Sequence, residues 1–393
     1  MKNLDEKAAI DTWFQAIVSD NELITPNHVR AALYADKPRL VSAVFERGCN
    51  LQCKHCFYTA ESFTAPQRDI YDMTQSLQSL AKEFARNGEF HLLHAGRVLQ
   101  PWHISALVGI KAECSDAKIG LIDSGHYTRI VKIIIDSGLT FDWIDISLDG
   151  DKLRHNLQRK SAHAFAMAEA GIQRAHEILS PSGRLTCLFT WTSINSDSLL
   201  VAARIALRTT SEFHVSPVSP RNGLAHLTPS RDQTKVMWSQ LIKATEEFGS
   251  ERVVLRIYST DDILRIAEIV GYGEMLYAFS NVLVYPNTAG CLLNVRGVRI
   301  TFFPPSLWPK EEVIIDADGY YRLGYSGQFK LSELRSGRSQ AGIDIGPYTV
   351  GKPTEENFLM LHERCVSQWW STIGKGKFER EIHMLKKLRE SSR

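Results

Sequence analysis

The apolar positions along the chain switch between two spacings, and this pattern predicts strands and helices in turn. The run RLVSAVF over residues 39–45 is apolar and β-branched, as expected for a buried strand. Five further strand-like segments follow, each separated from the next by a segment with helical spacing. The predicted strands cover residues 39–45, 89–95, 117–123, 141–149, 183–192 and 211–219. The predicted helices cover residues 74–87, 103–114, 126–137, 162–179, 197–208 and 230–248.

Six strand–helix units in series predict a parallel sheet, because strands joined by helices pair in parallel through right-handed crossovers. The predicted fold class is α/β, a partial (β/α)6 TIM-type barrel with a small C-terminal α+β extension. We expect an N-terminal helical segment over residues 1–38, the barrel over 39–250, and a C-terminal region with a helical tail over 251–393. A strand over 252–258 and a helix over 261–271 are expected to open that last region.

Composition and charge narrow the class of protein. The chain has 393 residues, 44% of them hydrophobic and 23% charged, with a formal net charge of +2. These values are typical of a globular protein and do not favour a nucleic-acid or membrane partner. No apolar run is long enough to cross a bilayer, and acidic residues lie where a signal peptide would be basic. We therefore expect a cytoplasmic protein.

Three of the seven cysteines lie within eight residues, in the segment RGCNLQCKHCFYTA. Cys49, Cys53 and Cys56 follow the first predicted strand with the spacing Cys-x3-Cys-x2-Cys. Three thiolates on one loop can each bind a different iron of a cubane cluster and leave the fourth iron open. Structural zinc normally takes four ligands, and His55 lies between the last two cysteines. A zinc-binding barrel remains the alternative at this point.

The spacing and its position after the first strand resemble the radical S-adenosylmethionine (SAM) superfamily. This resemblance implies one [4Fe–4S] cluster held by the three cysteines and SAM bound to the open iron. It also implies an electron donor such as flavodoxin or ferredoxin, and reductive cleavage of SAM to a 5′-deoxyadenosyl radical. His55 takes the position before the third cysteine. In the family this position is usually aromatic, and its backbone meets the adenine.

The segment HAGRVL, which follows the second predicted strand, is similar to the Gly-Gly-Glu-Pro turn of the family. The resemblance implies that Gly96 belongs to the SAM site. Arg97 replaces the glutamate that receives the SAM ammonium group. A guanidinium cannot accept that hydrogen bond and repels the ammonium. Asp123, after the third predicted strand, is the alternative acceptor.

The fourth predicted strand carries a closer likeness. WIDISLDGDKLRHNLQR over residues 143–159 resembles a segment of the peptide-modifying and dehydrogenase branch. The likeness implies that Ser147 and Asp149 lie near the SAM ribose and Arg159 near its carboxylate. Hydroxyl and carboxylate groups suit ribose, and a guanidinium suits a carboxylate. Asn195, in WTSIN after the fifth predicted strand, is a further candidate for SAM binding.

The C-terminal region resembles the SPASM or twitch element that follows such barrels. The likeness covers Cys291 and residues 312–337, but the cysteines of an auxiliary cluster are missing. Cys291 and Cys365 are too few for a second cluster. Either thiol is a candidate catalytic residue that donates a hydrogen atom to a substrate radical.

The resemblance favours modification of a ribosomally made peptide. The first forty residues are too few for a leader-peptide-binding domain, so a separate leader-peptide-binding protein is expected as a partner. A second hypothesis is dehydrogenation or epimerisation of a small-molecule biosynthetic intermediate. A third, of another class, is a non-catalytic regulatory protein that keeps the cluster for binding.

Overall fold

A computed structural model shows how these elements are arranged. It describes residues 40–43, 49, 51–56, 74, 78, 91–94, 99–220, 223–281, 283–284, 290–306, 312–315, 320–323, 342–344 and 370–392. The helices predicted before residue 39 lie outside the described residues. Of the helix predicted over 74–87, only Thr74 and Gln78 are described, and both are helical.

Seven strands, β1 to β7, pair in parallel in the order in which they occur along the chain. They span Leu40–Ala43, His91–His94, Lys118–Asp123, Phe141–Ser147, Leu179–Trp191, Glu212–Pro217 and Val253–Ile257. This arrangement confirms the predicted α/β fold and its partial barrel. The series of parallel strands that pair in chain order is one strand longer than the six predicted units, because β7 joins it from beyond residue 250. The division of the chain into three regions stays a prediction.

Besides the helical residues Thr74 and Gln78, nine α-helices, α1 to α9, are described over their full length. They span Pro101–Glu113, Val131–Asp136, Lys152–Arg159, Ala164–Arg174, Leu199–Ala206, Arg231–Phe248, Thr260–Val270, Tyr272–Ser280 and Lys375–Ser392. A five-residue π-helical segment, Trp370–Gly374, precedes α9. None of the helices in this part of the chain is long and apolar enough to span a membrane.

Two helices, α3 and α8, are absent from the sequence-based prediction. The sequence does contain an N-cap residue for α3, because Asp151 directly precedes it. In the structure the Asp151 carboxylate accepts a hydrogen bond from the backbone N–H of Arg154 at 2.8 Å. The region of α8 resembles a turn in sequence because of Gly271 and Gly273. Gly271 has a φ of 105°, so it ends α7 while α8 starts at the next residue.

The helix predicted over residues 126–137 is divided in the structure. A 3-10 turn over His126–Arg129 comes first, and α2 follows it. Ile130 lies between them with φ −121° and ψ 13°, outside the α-helical region. Gly125 starts the 3-10 turn at φ 91°, a left-handed conformation that glycine adopts without strain.

Further strands continue the sheet on both sides of the parallel series. Beyond β7, β10 (Val298–Phe302) pairs in parallel, and β9 (Cys291–Val295) and β8 (Leu283–Val284) pair antiparallel. Beyond β1, β11 (Glu312–Ile315) pairs in parallel, and β12 (Tyr320–Leu323) and β13 (Gly342–Asp344) pair antiparallel. The C-terminal strands therefore flank the parallel sheet at each edge.

The two faces of the parallel strands differ in polarity. Along β5, Cys187, Phe189 and Trp191 are buried within the main hydrophobic core. Thr186 and Thr190 point to the opposite face, because side chains alternate along a strand. The helices cover the apolar face, so the polar face is the barrel interior. The interpretation of Cys187 as a small apolar packing residue agrees with this burial.

The C-terminal helix α9 is held to the barrel by a buried carboxyl group. Glu381 is 0% exposed. Its two oxygens accept hydrogen bonds from the backbone N–H of Ser306 at 2.7 Å and from the Ser306 hydroxyl at 2.6 Å. Burial raises the pKa of Glu381 to about 7, although the hydrogen bonds from Ser306 lower it. The folded state therefore favours the protonated form only below about pH 7.

This raised pKa predicts that Glu381 weakens the fold as the pH rises. Between its ordinary pKa near 4.5 and about 7, the folded chain keeps a proton that the unfolded chain has lost. Its contribution to the free energy of unfolding thus falls across this window, by an amount on the order of 3 kcal/mol. We expect Glu381→Gln to gain stability relative to the wild type between pH 5 and pH 8. Urea denaturation across this range measures the difference, and parallel stability curves would contradict it.

Candidate active site

The cysteine loop follows β1 at the carboxyl edge of the parallel sheet. Cys49 is exposed, whereas Cys53 and Cys56 are half-buried, and none of the three forms a disulfide. The backbone N–H of Leu51 points to Cys49 Sγ at 3.4 Å. The N–H of Cys56 donates to the Cys53 carbonyl at 3.2 Å, which closes a tight turn between these two ligands. The three thiols therefore share one compact loop, as the sequence predicts.

Helix α3 holds this loop in place. The backbone N–H of Lys54 donates to the Gln158 carbonyl, near the end of α3, at 2.8 Å. Nη1 of Arg159 lies 3.7 Å from Cys53 Sγ, within hydrogen-bond distance of sulfur. Burial raises the pKa of the Cys53 thiol, and the Arg159 guanidinium opposes this shift. A cation beside the sulfur therefore supports its thiolate form, the form that binds metal.

A buried ion pair connects α3 to the end of β4. Arg159 Nε donates to Asp149 Oδ2 at 2.6 Å, and the Asp149 side chain is 0% exposed. Asp149 Oδ1 accepts a hydrogen bond from the backbone N–H of Thr190 at 2.8 Å. Burial raises the pKa of Asp149, but the positive charge of Arg159 and smaller contributions, among them the hydrogen bond from Thr190, together outweigh it, so the net shift is downward. The structure thus brings together two of the residues that the sequence assigns to SAM.

Asn195 belongs to the same buried network. Its Nδ2 donates to the carbonyls of Asp149 and Thr190, both at 2.9 Å. Its Oδ1 accepts from the backbone N–H of Thr192 at 2.8 Å. The Thr192 hydroxyl in turn donates to Gln158 Oε1 at 2.6 Å. Asn195 is 0% exposed, so it holds the turn after β4 against β5 rather than facing an open site.

Two histidines flank the ion pair. The backbone N–H of Asp149 donates to His155 Nδ1 at 2.9 Å, which makes Nδ1 an acceptor and leaves the ring proton on Nε2. His55 lies in the cysteine loop, with Nδ1 buried and without a hydrogen-bond partner in the described structure. Burial, with Arg159 nearby, lowers the pKa of His55 to about 4. Burial likewise lowers the pKa of His155 to about 4. Both imidazoles are neutral at pH 7.

Ser147 and Asp123 lie at neighbouring strand ends. Ser147 is half-buried at the last position of β4, on the same strand face as Asp149. Asp123 ends β3 and is 5% exposed, and its Oδ1 accepts from the backbone N–H of Tyr127 at 3.3 Å. Burial raises the pKa of Asp123 to about 6. A contact of either residue with SAM remains a prediction.

The remaining predicted site residues either lie away from this network or fall outside the described residues. Gly96, Arg97 and Cys365 lie outside the described residues. Cys291 is fully buried on β9, and four strands separate β9 from β4 in the sheet. Burial raises the pKa of the Cys291 thiol far above its usual range. The catalytic role assigned to either cysteine stays a prediction.

Several residues of the site escaped the sequence analysis. Gln158 and His155 position the cysteine loop and Asp149, but no spacing rule identifies them. The barrel interior also holds acidic and basic groups on neighbouring strands. These are Asp145, Glu212, His214 and Arg256. The sequence does contain a pattern that could have identified them, because polar residues recur at every second position of β4 and β6.

The thiols of the loop fit an iron–sulfur cluster. Among the residues that the structure describes, no three His, Cys, Asp or Glu side chains converge on a single metal ion. A cubane binds each thiolate through a different iron, so its ligands lie farther apart than those of one ion. Three thiols on one loop, none of them in a disulfide and one of them beside the Arg159 guanidinium, are the type of donor set that such a cluster takes.

We expect mutation of the buried pair to reduce the free energy of unfolding more than mutation of an exposed pair. Asp149→Asn leaves Arg159 buried without its counter-charge, and we expect a loss of about 3–5 kcal/mol in the free energy of unfolding. The control is Arg204→Gln, which breaks an exposed pair with Glu247 whose atoms are 2.8 Å apart. That change should cost less than about 1 kcal/mol. Urea denaturation measures both losses, and equal small losses would show that Asp149 is not the required counter-ion.

Comparison with known proteins supports the fold. No protein-family model matches the chain, and no curated protein does. Streptococcus suis SuiB, solved with its precursor peptide SuiA, matches with a TM-score of 0.50 at 10% identity, over 86% of this chain and 73% of SuiB.

Two further solved structures have lower scores. The protein anSMEcpe with bound AdoMet has a TM-score of 0.49 at 13% identity, over 91% of this chain and 99% of its own. Methylornithine synthase PylB has a TM-score of 0.42 at 11% identity, over 77% of this chain and 82% of its own. These proteins are radical SAM enzymes. The likeness to SuiB, a radical SAM enzyme, shows that the chain shares the fold of that protein.

Proposed function

We propose that this chain is a radical SAM enzyme that removes a hydrogen atom from a peptide substrate. The observation that carries the proposal is the chain of contacts from the cysteine loop through Arg159 to Asp149. It joins the loop that would hold a cluster to the strand end that would hold SAM. The fold of the chain, shared with radical SAM enzymes, supports the same conclusion.

Cys49, Cys53 and Cys56 would hold a [4Fe–4S] cluster, with SAM beside it. When bound, the cluster supplies the electron that cleaves SAM to methionine and a 5′-deoxyadenosyl radical, so a one-electron donor protein is required. Arg159 presents a guanidinium next to Cys53, where a carboxylate bound near the cluster would be neutralised. Asp149 uses both of its oxygens inside the protein. We therefore assign Asp149 and Asn195 to positioning Arg159 and the strand end.

His55 and Ser147 would complete the binding surface. His55 is neutral, so its ring adds no positive charge beside the sulfonium of SAM. Ser147 presents a half-buried hydroxyl on the interior face of β4, which suits a hydrogen bond to a ribose hydroxyl. For the substrate, the likeness to SuiB, which was solved with a precursor peptide, supports a peptide.

The proposal predicts a cluster that depends on three particular cysteines. After anaerobic reconstitution, we expect a brown protein with about four irons per chain that releases 5′-deoxyadenosine with dithionite and SAM. Replacing Cys49, Cys53 and Cys56 together by alanine should abolish both the iron and the product. The matched control is Cys114→Ala, which changes a thiol outside the loop and should keep both.

Three other outcomes of that experiment would each contradict a different part of the proposal. A colourless protein that binds zinc would contradict the cluster. Iron retained by the triple variant would contradict the ligand assignment. A brown protein that never cleaves SAM would favour the non-catalytic binding role.

Ser147→Ala tests the SAM site separately from the cluster. Removing one hydrogen bond, worth about 1 kcal/mol, should weaken SAM binding roughly fivefold and leave the iron content unchanged. Isothermal titration of the anaerobic, reconstituted protein with SAM measures the dissociation constant. Ser137→Ala, after α2, is the control. An unchanged dissociation constant in the Ser147 variant would remove this residue from the site.

A further inference from the structure

Two leucines on helix α3 face the solvent beside the cysteine loop. The exposed fractions of Leu153 and Leu157 are 70% and 44%. They lie four residues apart, so they share one face of the helix, and we call this pair the leucine strip. The opposite face is buried and carries His155, Gln158 and Arg159. Helix α3 therefore holds the candidate site with its inner face and presents apolar side chains outward.

Positive charge surrounds the leucine strip. Lys152 is the first residue of α3, Lys160 follows its last residue, and both are exposed. Lys54 lies in the cysteine loop, where its backbone contacts the end of α3, and its side chain is half-buried. Within the part of the chain that the structure describes, none of these three side chains forms an ion pair.

The acids of this surface do not cancel that charge. Asp151 caps the start of α3 by accepting the backbone N–H of Arg154. Asp197 pairs with the Arg154 guanidinium, with Oδ2 and Nη2 2.6 Å apart. Among the described residues of this surface, four cations, the three lysines and Arg154, thus face two acids. The leucine strip lies in a region with surplus positive charge.

The leucine strip also lies next to the proposed cluster. The backbone N–H of Lys54 donates to the Gln158 carbonyl at 2.8 Å, and Gln158 directly follows Leu157. Lys54 in turn directly follows Cys53, a proposed cluster ligand. Cys49, at the other end of the cysteine loop, is exposed. A protein docked on the leucine strip would therefore touch the loop that holds the cluster.

These properties suit a protein that delivers electrons. Electron transfer slows steeply with distance, so the donor has to dock close to the cluster. Complexes of this kind are small, with less than about 1,200 Å² of buried surface, and an apolar centre with a charged rim is a common arrangement. Flavodoxins and ferredoxins are acidic, which complements the surplus positive charge around the leucine strip.

We propose that the outer face of α3 is the docking surface for an acidic one-electron carrier. Leu153 and Leu157 would form its apolar centre, and Lys54, Lys152 and Lys160 its charged rim. The proposal deepens the proposed function and rests on it for the presence of the cluster. In the docked complex the carrier loses one electron and the cluster gains it, and no proton or other group moves.

Fluorescence anisotropy measures docking separately from catalysis. The reconstituted full chain is titrated under anaerobic conditions into a labelled, oxidised flavodoxin at low salt, and a labelled, oxidised ferredoxin is treated in the same way. One variant combines Leu153→Ala with Leu157→Ala. A second combines Lys152→Gln with Lys160→Gln. Alanine and glutamine are good helix formers, so both changes are compatible with α3.

Matched controls make the same kinds of change elsewhere on the surface. Val236→Ala with Tyr277→Ala, on α6 and α8, removes two apolar side chains that are 46% and 69% exposed. Lys132→Gln with Lys243→Gln, on α2 and α6, removes two exposed lysines. Iron content and reduction by dithionite are measured for every variant, because a small reductant needs no docking surface.

We expect each α3 variant to raise the dissociation constant of the bound carrier about tenfold. Each control pair should change it by less than about twofold. Added salt should weaken binding to the wild type and the leucine variant more than binding to the lysine variant, because salt screens the attraction between charges. All variants should keep the iron and the rate of reduction by dithionite.

The docking surface is overturned if neither carrier binds the wild type, if either α3 variant binds as tightly as the wild type, or if the control pairs lose as much affinity. A wild-type dimer that the leucine variant separates in sedimentation would assign the leucine strip to a second copy of the chain instead. Normal iron and dithionite-driven cleavage of SAM without carrier binding would contradict this surface alone. Carrier binding to a chain that takes up no iron would contradict the proposed function.

Discussion

The buried pair of Arg159 and Asp149 is the interaction on which the site depends. Neither charge is tolerated inside a protein without the other, because the cost of removing an ion from water is recovered only by a close, hydrogen-bonded partner. The pair fixes α3 against the end of β4. The same guanidinium reaches Cys53, and the end of α3 holds the backbone of Lys54. One ion pair thus determines where the cysteine loop lies relative to the strand ends.

The sequence predicts much of this arrangement. The alternation of apolar spacings predicts the parallel barrel, and the contact between Arg159 and Cys53 brings the cysteine motif to the motif of the fourth strand. The partners of Asp149 were not predictable, since Thr190 and Asn195 approach it only through the pairing of β4 with β5. Helix α3 was missed because its eight residues are few and mostly polar.

The polar side chains that face the barrel interior show a different limit of sequence-based prediction. The residues Glu212, His214 and Ser216 alternate along β6 with buried apolar residues, and the sequence shows this spacing plainly. Spacing alone does not show which strand face is the barrel interior or how far each residue lies from the cysteine loop. Burial of the alternate residues identifies the interior face, and register aligns Arg256 with the layer of Asp149.

The central claim is that the three-thiolate loop leaves one iron open for SAM beside Arg159. Electron paramagnetic resonance of the anaerobic, reduced protein tests this most directly, because the signal of a reduced cluster responds to a new ligand on its iron. We expect a [4Fe–4S] signal whose g-values shift when SAM is added. A reduced cluster with the same spectrum in the presence and absence of SAM, or no cluster signal at all, would contradict it.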